Sequence, residues 1–294
     1  MACFYPRPAF RTPSGAVVFG HPRFGEPVKD DLRVGCGKCI GCGLMRSRDW
    51  SVRCALEAAQ HNLSCWSTLT YDDANLPSTL RPDHLSGFVK RLRSRLAPRK
   101  FRVFACGEYG DKFGRPHYHA ILFGVRDVRE LQKAWGFGIA EEHTLSPEAI
   151  SYVAGYCAKK LRRPRKPLLS SPIPFGPRLD RRVVEKVDKY TGEVTEHYVE
   201  YQPPFLEMSR RPGIGGDARR FTSMWRRSAV FRGKEVPVPR FLHESWKEQA
   251  TADEILFLEE ERKREMRVMS WDEIKASERI AEVQMEHTLS RRSL

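Results

Sequence analysis

The chain has 294 residues, 40% of them hydrophobic, and a formal net charge of +14. This length is enough for one large domain or two modest ones with a real core. No run approaches the roughly 18 apolar residues of a membrane span, and the N-terminus lacks the charged start and apolar core of a secretory signal. We therefore expect a protein of a reducing cytosol, where spaced cysteines indicate metal binding rather than disulfides.

The positive charge is concentrated in the first 243 residues. Residues 244–294 contain 9 Lys and Arg residues and 13 Asp and Glu residues, so this tail carries −4 and the remainder carries +18. A basic body indicates a polyanionic partner, most simply nucleic acid. A basic protein without such a partner is the alternative.

Residues 1–62 form a Pro- and Gly-rich N-terminal segment that predicts loops and short strands, followed by a helix. Three cysteines stand at C-x2-C-x2-C spacing where that helix begins: Cys36, Cys39 and Cys42. Three thiolates at this spacing can share one structural zinc, with Cys3 as the first candidate and Cys54 as the second for the fourth ligand. Reduced thiols in a glycine-rich turn are the alternative.

Residues 63–162 predict a core in the order strand, helix, strand, strand, helix, strand, helix. The strands are predicted at 65–71, 101–110, 117–124 and 136–143, and the helices at 81–96, 128–135 and 146–161. This order is typical of an α+β fold with an antiparallel sheet of the ferredoxin-like or RRM-like type. We expect the helices to lie on one face of that sheet.

The sequence changes in character after the core. Residues 163–240 contain a basic Pro-rich linker, a hairpin predicted at 183–201 and a basic Gly-rich loop at 208–221. Residues 241–294 predict charged helices. We therefore divide the chain into an N-terminal segment, a core, a linker region and a C-terminal helical extension.

Two histidines flank a tyrosine at the start of the strand predicted at 117–124. Because residues two apart on a strand point the same way, His117 and His119 project together and Tyr118 projects to the other face. The preceding strand carries Glu108, which reaches the same patch if the two strands pair. Two imidazoles and a carboxylate with open coordination positions favour catalytic Mg²⁺ or Mn²⁺ over a closed structural zinc. Ordinary histidines on the polar face of a strand are the alternative.

The helix predicted at 146–161 presents Tyr152, Tyr156 and Lys159 within about 60° of one another. Tyrosine can act as a covalent nucleophile towards a phosphodiester, with a metal and a lysine stabilising charge on the phosphoryl oxygens. Two tyrosines one turn apart would permit two successive transfers at one site. Half-buried aromatics beside a solvated lysine are the alternative. The carboxylate, the histidine pair and the tyrosines occur in this order within one short stretch of a basic chain, which favours the functional interpretation.

Basic side chains near the same elements predict contacts with DNA phosphates, which position a protein on DNA without specifying sequence. They are Arg91, Arg93 and Arg95 on the helix at 81–96, and Lys160, Arg162 and Arg163 after the tyrosines. Solvated helix faces are the alternative.

Several of these motifs resemble the HUH endonuclease superfamily, named for two histidines around a hydrophobic residue. "HYH" (117–119) resembles that pair, and "YVAGYCAKK" (152–160) is similar to the two-tyrosine motif of its rolling-circle replication initiators. "WSTLTY" (66–71) stands where the superfamily has its first strand motif, and "CGEYG" (106–110) carries an acid where its third metal ligand often lies. "CGKCIGC", "LTYDDANLP", "GRPHYH" and "MSRRPGIGG" further resemble the initiators of the microvirus family, gokushovirus branch, over residues 1–220.

The resemblance implies a fold, a reaction and partners. Glu108 and the two histidines would hold Mg²⁺ or Mn²⁺, Tyr156 would be the first nucleophile and Tyr152 its alternate. The protein would nick a phage origin through a 5′-phosphotyrosine link, and the 3′-hydroxyl would prime synthesis by the helicase and polymerase of the bacterial host, in the host cytoplasm. Tyr118 stands where a bulky aliphatic residue is common, but it faces away from the metal.

Two other functions fit parts of the sequence. A plasmid initiator, relaxase or transposase of the same superfamily would keep the chemistry and change the biology. A non-catalytic zinc-containing nucleic-acid-binding protein would rest on the cysteines and leave the tyrosine helix unexplained.

Overall fold

The structure is a computed structural model that describes residues 3–23, 27–110, 114–159, 180–187, 191–265 and 269–290. Its N-terminal part is a three-stranded antiparallel sheet of β1 (Arg7–Arg11), β2 (Val17–Phe19) and β3 (Asp30–Val34), with β1 in the centre. Helix α1 (Ile40–Ala58) follows directly after the cysteine motif. The predicted short strands and helix are confirmed.

The centre of the molecule is a five-stranded antiparallel sheet. Its strands are β4 (Ser64–Tyr71), β5 (Arg102–Tyr109), β6 (Pro116–Phe123), β7 (Gly138–Thr144) and β10 (Phe205–Met208), in the spatial order β10-β5-β6-β4-β7. Helices α2 (Pro82–Leu96), α3 (Val128–Trp135) and α4 (Pro147–Lys159) complete the core segment. The predicted α+β class and the predicted order of elements are confirmed.

Helices cover both faces of the sheet, so the expectation of helices on one face was wrong. On one face, α2 and α3 pack against buried residues of the strands such as Leu69, Ala120 and Leu122. On the other face, α1 and α4 pack against buried residues such as Ile121 and Phe123. Because both side-chain orientations of β6 are apolar, each face must be covered to remove it from water.

The chain returns to the sheet after a long excursion. The hairpin of β8 (Asp180–Val187) and β9 (Val194–Tyr201) confirms the predicted turn near Gly192, whose φ is +70°. Strand β10 then pairs with β5 at the edge of the sheet, which the sequence analysis did not predict. The structure thus extends the core beyond the predicted boundary at residue 162.

The Gly-rich loop after β10 packs against α1. The Gly215 amide donates to Glu57 Oε2 at 2.7 Å, and a Cβ on Gly215 would lie 2.9 Å from the Arg53 carbonyl oxygen. Gly215 also has a φ of +68°. Its lack of a side chain is therefore explained by a close approach of two backbone segments.

The C-terminal extension contains the hairpin β11 (Ser228–Phe231) and β12 (Lys234–Pro237) and the helices α5 (Arg240–Lys247), α6 (Ala252–Glu265) and α7 (Trp271–Ser290). Trp225, Leu242, Trp246 and Leu258 form a cluster that packs on Val52 of α1. The predicted C-terminal helices are confirmed. Within the described ranges, each helix is too short or too polar to cross a membrane.

Candidate metal centre

The register of β5 and β6 brings three polar side chains together. Glu108 pairs with His117, and Cys106 pairs with His119. Because side chains two apart share a face, Glu108, His117 and His119 project on the side of the sheet that α1 and α4 cover. Tyr118 is fully buried on the opposite side, as the sequence predicted.

The three side chains converge on one point. The Nε2 atoms of His117 and His119 lie 2.9 Å and 3.0 Å from the same oxygen, Glu108 Oε1. Glu108 and His119 are buried, at 8% and 4% exposure, and His117 is partly open to solvent. The ligand atoms of this triad all lie within 4.8 Å of one another, a spacing at which one cation can contact all three.

Neighbouring groups hold both imidazoles in a ligand orientation. His117 Nδ1 lies 3.1 Å from the carbonyl oxygen of Arg115, which can only accept, so this nitrogen carries a proton. His119 Nδ1 lies 3.3 Å from the Thr68 hydroxyl. These contacts leave both Nε2 atoms directed at Glu108, which is the arrangement that supporting hydrogen bonds give to metal-bound histidines.

The charge state of Glu108 suits a cation. Burial raises the pKa of this carboxyl, but the hydrogen bonds from His117 and His119 outweigh burial and lower it to about 2. Glu108 is therefore a carboxylate at neutral pH. One carboxylate and two imidazoles, with no further described side chain in the group, fit a divalent ion that keeps open positions.

Helix α4 lies against the same face as the triad. Ile150 and Val153 are buried in the cluster that packs on the sheet. Tyr152 follows from this docking: its ring centroid is 5.5 Å from the His119 ring and 5.8 Å from the Trp66 ring. The helix brings this tyrosine to the metal face, as the tyrosine hypothesis requires.

The remaining residues predicted near the tyrosines are only partly described. Tyr156 and Lys159 lie on the last turns of α4, and their side chains lie outside the described part of the structure. Lys160, Arg162 and Arg163 also lie outside the described residues. Their roles stay predictions.

The arginines of α2 lie on the other side of the sheet from the triad, because α2 packs on the face that contains Tyr118. Arg91 donates to the carbonyl oxygens of Ala134 and Trp135 at 2.7 Å and 3.1 Å. Arg95 pairs with Glu130 at 2.6 Å, and the Arg93 guanidinium lies 5.8 Å from the Phe101 ring centre. These arginines are not part of the metal centre, and their contact with DNA stays a prediction.

Sequence reasoning missed the residues that surround the triad. Trp66 stacks on its cross-strand partner His143, with ring centroids 4.3 Å apart, and packs near both His119 and Tyr152. Thr68, two residues further along β4, supports His119. The alternation of Trp66 and Thr68 on one predicted strand was the available signal, because it places both on one face.

A second group of metal-capable residues lies at the start of α1. The sulfur atoms of Cys3, Cys36, Cys39 and Cys42 all lie within 4.8 Å of one another. Cys54, the other candidate for a fourth ligand, is fully buried in the cluster between α1, α4 and the sheet. The structure therefore brings Cys3 to the motif and keeps Cys54 away from it.

The stretch that contains the triad and α4 has known relatives. Residues 64–161 match the model of a family described as "Replication-associated protein ORF2". The expected resemblance to phage replication proteins is thereby confirmed. No solved structure matches the chain.

Individual phage proteins are similar over longer stretches. The chain is 35% identical over 150 residues to the replication-associated protein ORF4 of Chlamydia phage 1, covering 42% of this chain and 38% of that protein. It is 31% identical over 186 residues to VP4 of Bdellovibrio phage phiMH2K (55% and 59%), and 30% identical over 199 residues to ORF2 of Spiroplasma virus 4 (55% and 62%). The chain thus spans between about two fifths and three fifths of the length of these relatives, all named replication-associated proteins.

Proposed function

We propose that this protein initiates rolling-circle replication of a single-stranded DNA phage by nicking and rejoining DNA. The observation that carries the proposal is the convergence of Glu108, His117 and His119 on the face that α4 covers, within the stretch that matches the replication-associated family. A buried carboxylate and two oriented imidazoles beside a tyrosine suit metal-assisted transfer of a phosphodiester.

Glu108, His117 and His119 would hold the Mg²⁺ or Mn²⁺ ion. Such an ion, when bound, polarises the scissile phosphate and neutralises charge on its oxygens. Arg115 and Thr68 keep the two imidazoles pointed at it. The carboxylate supplies a fixed negative charge, which supports a divalent ion with open positions for substrate oxygens.

The nucleophile is a phenol of α4, with Tyr156 as the first and Tyr152 as its alternate. The phenol oxygen attacks phosphorus as its proton leaves, the bond from phosphorus to the 3′ oxygen breaks, and that oxygen leaves as a hydroxyl after taking up a proton. The 5′ phosphate stays on the tyrosine. The Lys159 ammonium would stabilise charge on the phosphoryl oxygens. The second tyrosine then cuts the regenerated origin, and rejoining releases a single-stranded circle.

The partners follow from this reaction. The substrate is origin DNA, which the basic body attracts and which Lys160, Arg162 and Arg163 would contact through phosphates, with Arg91, Arg93 and Arg95 as more remote contacts. The free 3′-hydroxyl requires the helicase and polymerase of the bacterial host, in the host cytoplasm. A plasmid initiator, relaxase or transposase would use the same chemistry, but the relatives are phage proteins, which favours the phage role.

A covalent-adduct assay tests the proposal. The full chain is incubated with a 5′-side and 3′-side differentially labelled single-stranded oligonucleotide of the phage origin, with Mn²⁺, with Mg²⁺ or with chelator. We expect a denaturation-resistant adduct that carries only the label 3′ to the nick and forms only with metal. The matched control is Tyr201→Phe, which removes a phenol that stacks on Tyr109 away from the triad. An adduct that persists with both Tyr152 and Tyr156 changed to Phe would overturn the mechanism.

A further inference from the structure

The four clustered cysteines have the spacing of a single tetrahedral site. Cys39 Sγ and Cys3 Sγ lie 3.7 Å apart, and all four sulfur atoms lie within 4.8 Å of one another. A zinc ion bound to four thiolates at about 2.3 Å places its sulfur atoms roughly 3.8 Å apart. The two sulfur atoms are too far apart for a disulfide, whose bond is about 2.05 Å.

The backbone around the cluster donates to the sulfur atoms. The amides of Lys38 and Cys39 donate to Cys36 Sγ at 3.5 Å and 3.3 Å, and the amide of Cys42 donates to Cys39 Sγ at 3.4 Å. The Cys36 amide donates to Cys3 Sγ at 3.2 Å. Gly37, with a φ of +72°, makes the turn that aims these amides inward. Amide donors stabilise negative sulfur, so the loop is arranged for thiolates.

The charge around the cluster also favours a metal–thiolate group. Four thiolates and one Zn²⁺ carry a net charge of −2, which needs positive charge nearby. The cluster lies at the N-terminus of α1, the positive end of the helix dipole. Cys39 occupies the N-cap position, where Ser, Thr, Asp or Asn is usual, and the first turn of α1 contains no acidic residue.

The surroundings indicate a closed, structural site. Cys42 is 6% exposed, and Phe4, Ile40 and Ala281 form a buried cluster beside the cysteines. With four protein ligands, no position is left for a substrate or a reactive water. This cluster shares no residue with the triad of Glu108 and the two histidines.

The cluster joins distant parts of the chain. Cys3 belongs to the N-terminal segment, and the other three cysteines open α1. Next to Cys3, the Tyr5 hydroxyl donates to Glu278 of α7, and its ring lies 5.9 Å from the Trp271 ring. A bond between Cys3 and the α1 cysteines therefore fixes the segment on which α7 docks.

We propose that Cys3, Cys36, Cys39 and Cys42 bind one structural zinc ion that fastens the N-terminal segment, and with it α7, to the start of α1. The proposal does not depend on the nicking reaction, because it concerns stability and none of its ligands faces the triad. Removal of zinc should loosen the N-terminal segment and α7 first.

Metal analysis of the full chain tests the stoichiometry. The protein purified without chelator should contain about one zinc per chain after dialysis, and Cys3→Ser and Cys42→Ser should each lose most of it. The matched control is Cys54→Ala, which removes a buried thiol of the same helix outside the cluster and should keep the zinc. His117→Ala combined with His119→Ala should keep it too. Iron in place of zinc, or full zinc in Cys3→Ser, would overturn the proposal.

Two measurements on the unaltered chain keep the proposal testable if the variants do not fold. Replacement of zinc by Co²⁺ should give the intense thiolate-to-metal absorption of a tetrahedral four-sulfur site, and its absence would contradict the proposal. After chelation in denaturant, all eight cysteines should react with a thiol reagent. Fewer reactive thiols would mean disulfides, which would also overturn it.

Discussion

Glu108 and His117 face each other across β5 and β6, with Glu108 Oε1 2.9 Å from His117 Nε2. The same oxygen lies 3.0 Å from His119 Nε2. One carboxylate oxygen therefore sets the position of two imidazoles, and it does so because a short hairpin fixes the strand register. The chemistry proposed for the protein depends on this relationship.

Removal of the Glu108 charge should weaken the response to metal. We expect Glu108→Gln to need at least about tenfold more Mn²⁺ for half-maximal adduct, because loss of a ligand costs no less than loss of a supporting group. A Mn²⁺ titration of the adduct assay measures this. Glu235→Gln, on exposed β12, makes the same change in charge and should leave the titration unaltered. Equal behaviour of the two variants would contradict the assignment.

The hydroxyl of Thr68 should matter through His119. Thr68→Val keeps the size of the side chain and removes the partner of His119 Nδ1, so we expect metal to bind about tenfold more weakly. Thr70→Val is the matched control, because the Thr70 hydroxyl donates to the Ile139 carbonyl and supports no imidazole. Calorimetric Mn²⁺ binding measures both. Similar losses in the two variants would show that the hydroxyl contact is not the cause.

Glu108 should also affect stability in acid when metal is removed. Its folded-state pKa of about 2 lies below the usual 4.5, so its contribution is present above about pH 4.5 and is lost as pH falls towards 2. We expect the stability difference between the unaltered chain and Glu108→Gln to shrink by about 1 kcal/mol from pH 5.5 to pH 3.5. Urea unfolding in chelator measures it. A difference that does not change with pH would contradict the lowered pKa.

The close contact at Gly215 should make it intolerant of a side chain. Gly215→Ala combines a φ of +68° with a Cβ 2.9 Å from the Arg53 carbonyl oxygen, so we expect a loss of about 2–3 kcal/mol. Gly192→Ala has a similar φ of +70° but no atom within 4 Å, and should cost only about 1 kcal/mol. Thermal unfolding compares them, and a larger loss at Gly192 would contradict the packing of this loop on α1.

The sequence predicted much of the core because its signals are local. The alternation on β4, the helical spacing on α2 and the His-x-His pair each depend on neighbouring residues, and the structure has these elements within a few residues of the predicted bounds. The face shared by His117 and His119 follows from the strand period alone. Only the pairing of Glu108 required the register between two strands.

The errors concern contacts between distant parts of the chain. β10 is a four-residue strand whose partner, β5, lies about 100 residues earlier, so no local pattern indicates their pairing. Helices on both faces were missed, although the uninterrupted apolar run 120–123 is typical of a strand buried on both sides. The choice between Cys3 and Cys54 likewise depended on which of them reaches the start of α1.

Peptide mapping of the covalent adduct tests the central claim most directly. The adduct formed with Mn²⁺ is digested with nuclease and protease, and mass spectrometry identifies the residue that keeps the 5′ nucleotide. We predict that this residue is Tyr156, with Tyr152 replacing it in Tyr156→Phe. A nucleotide on a residue outside α4, or a nicked product with no protein attached, would contradict the account.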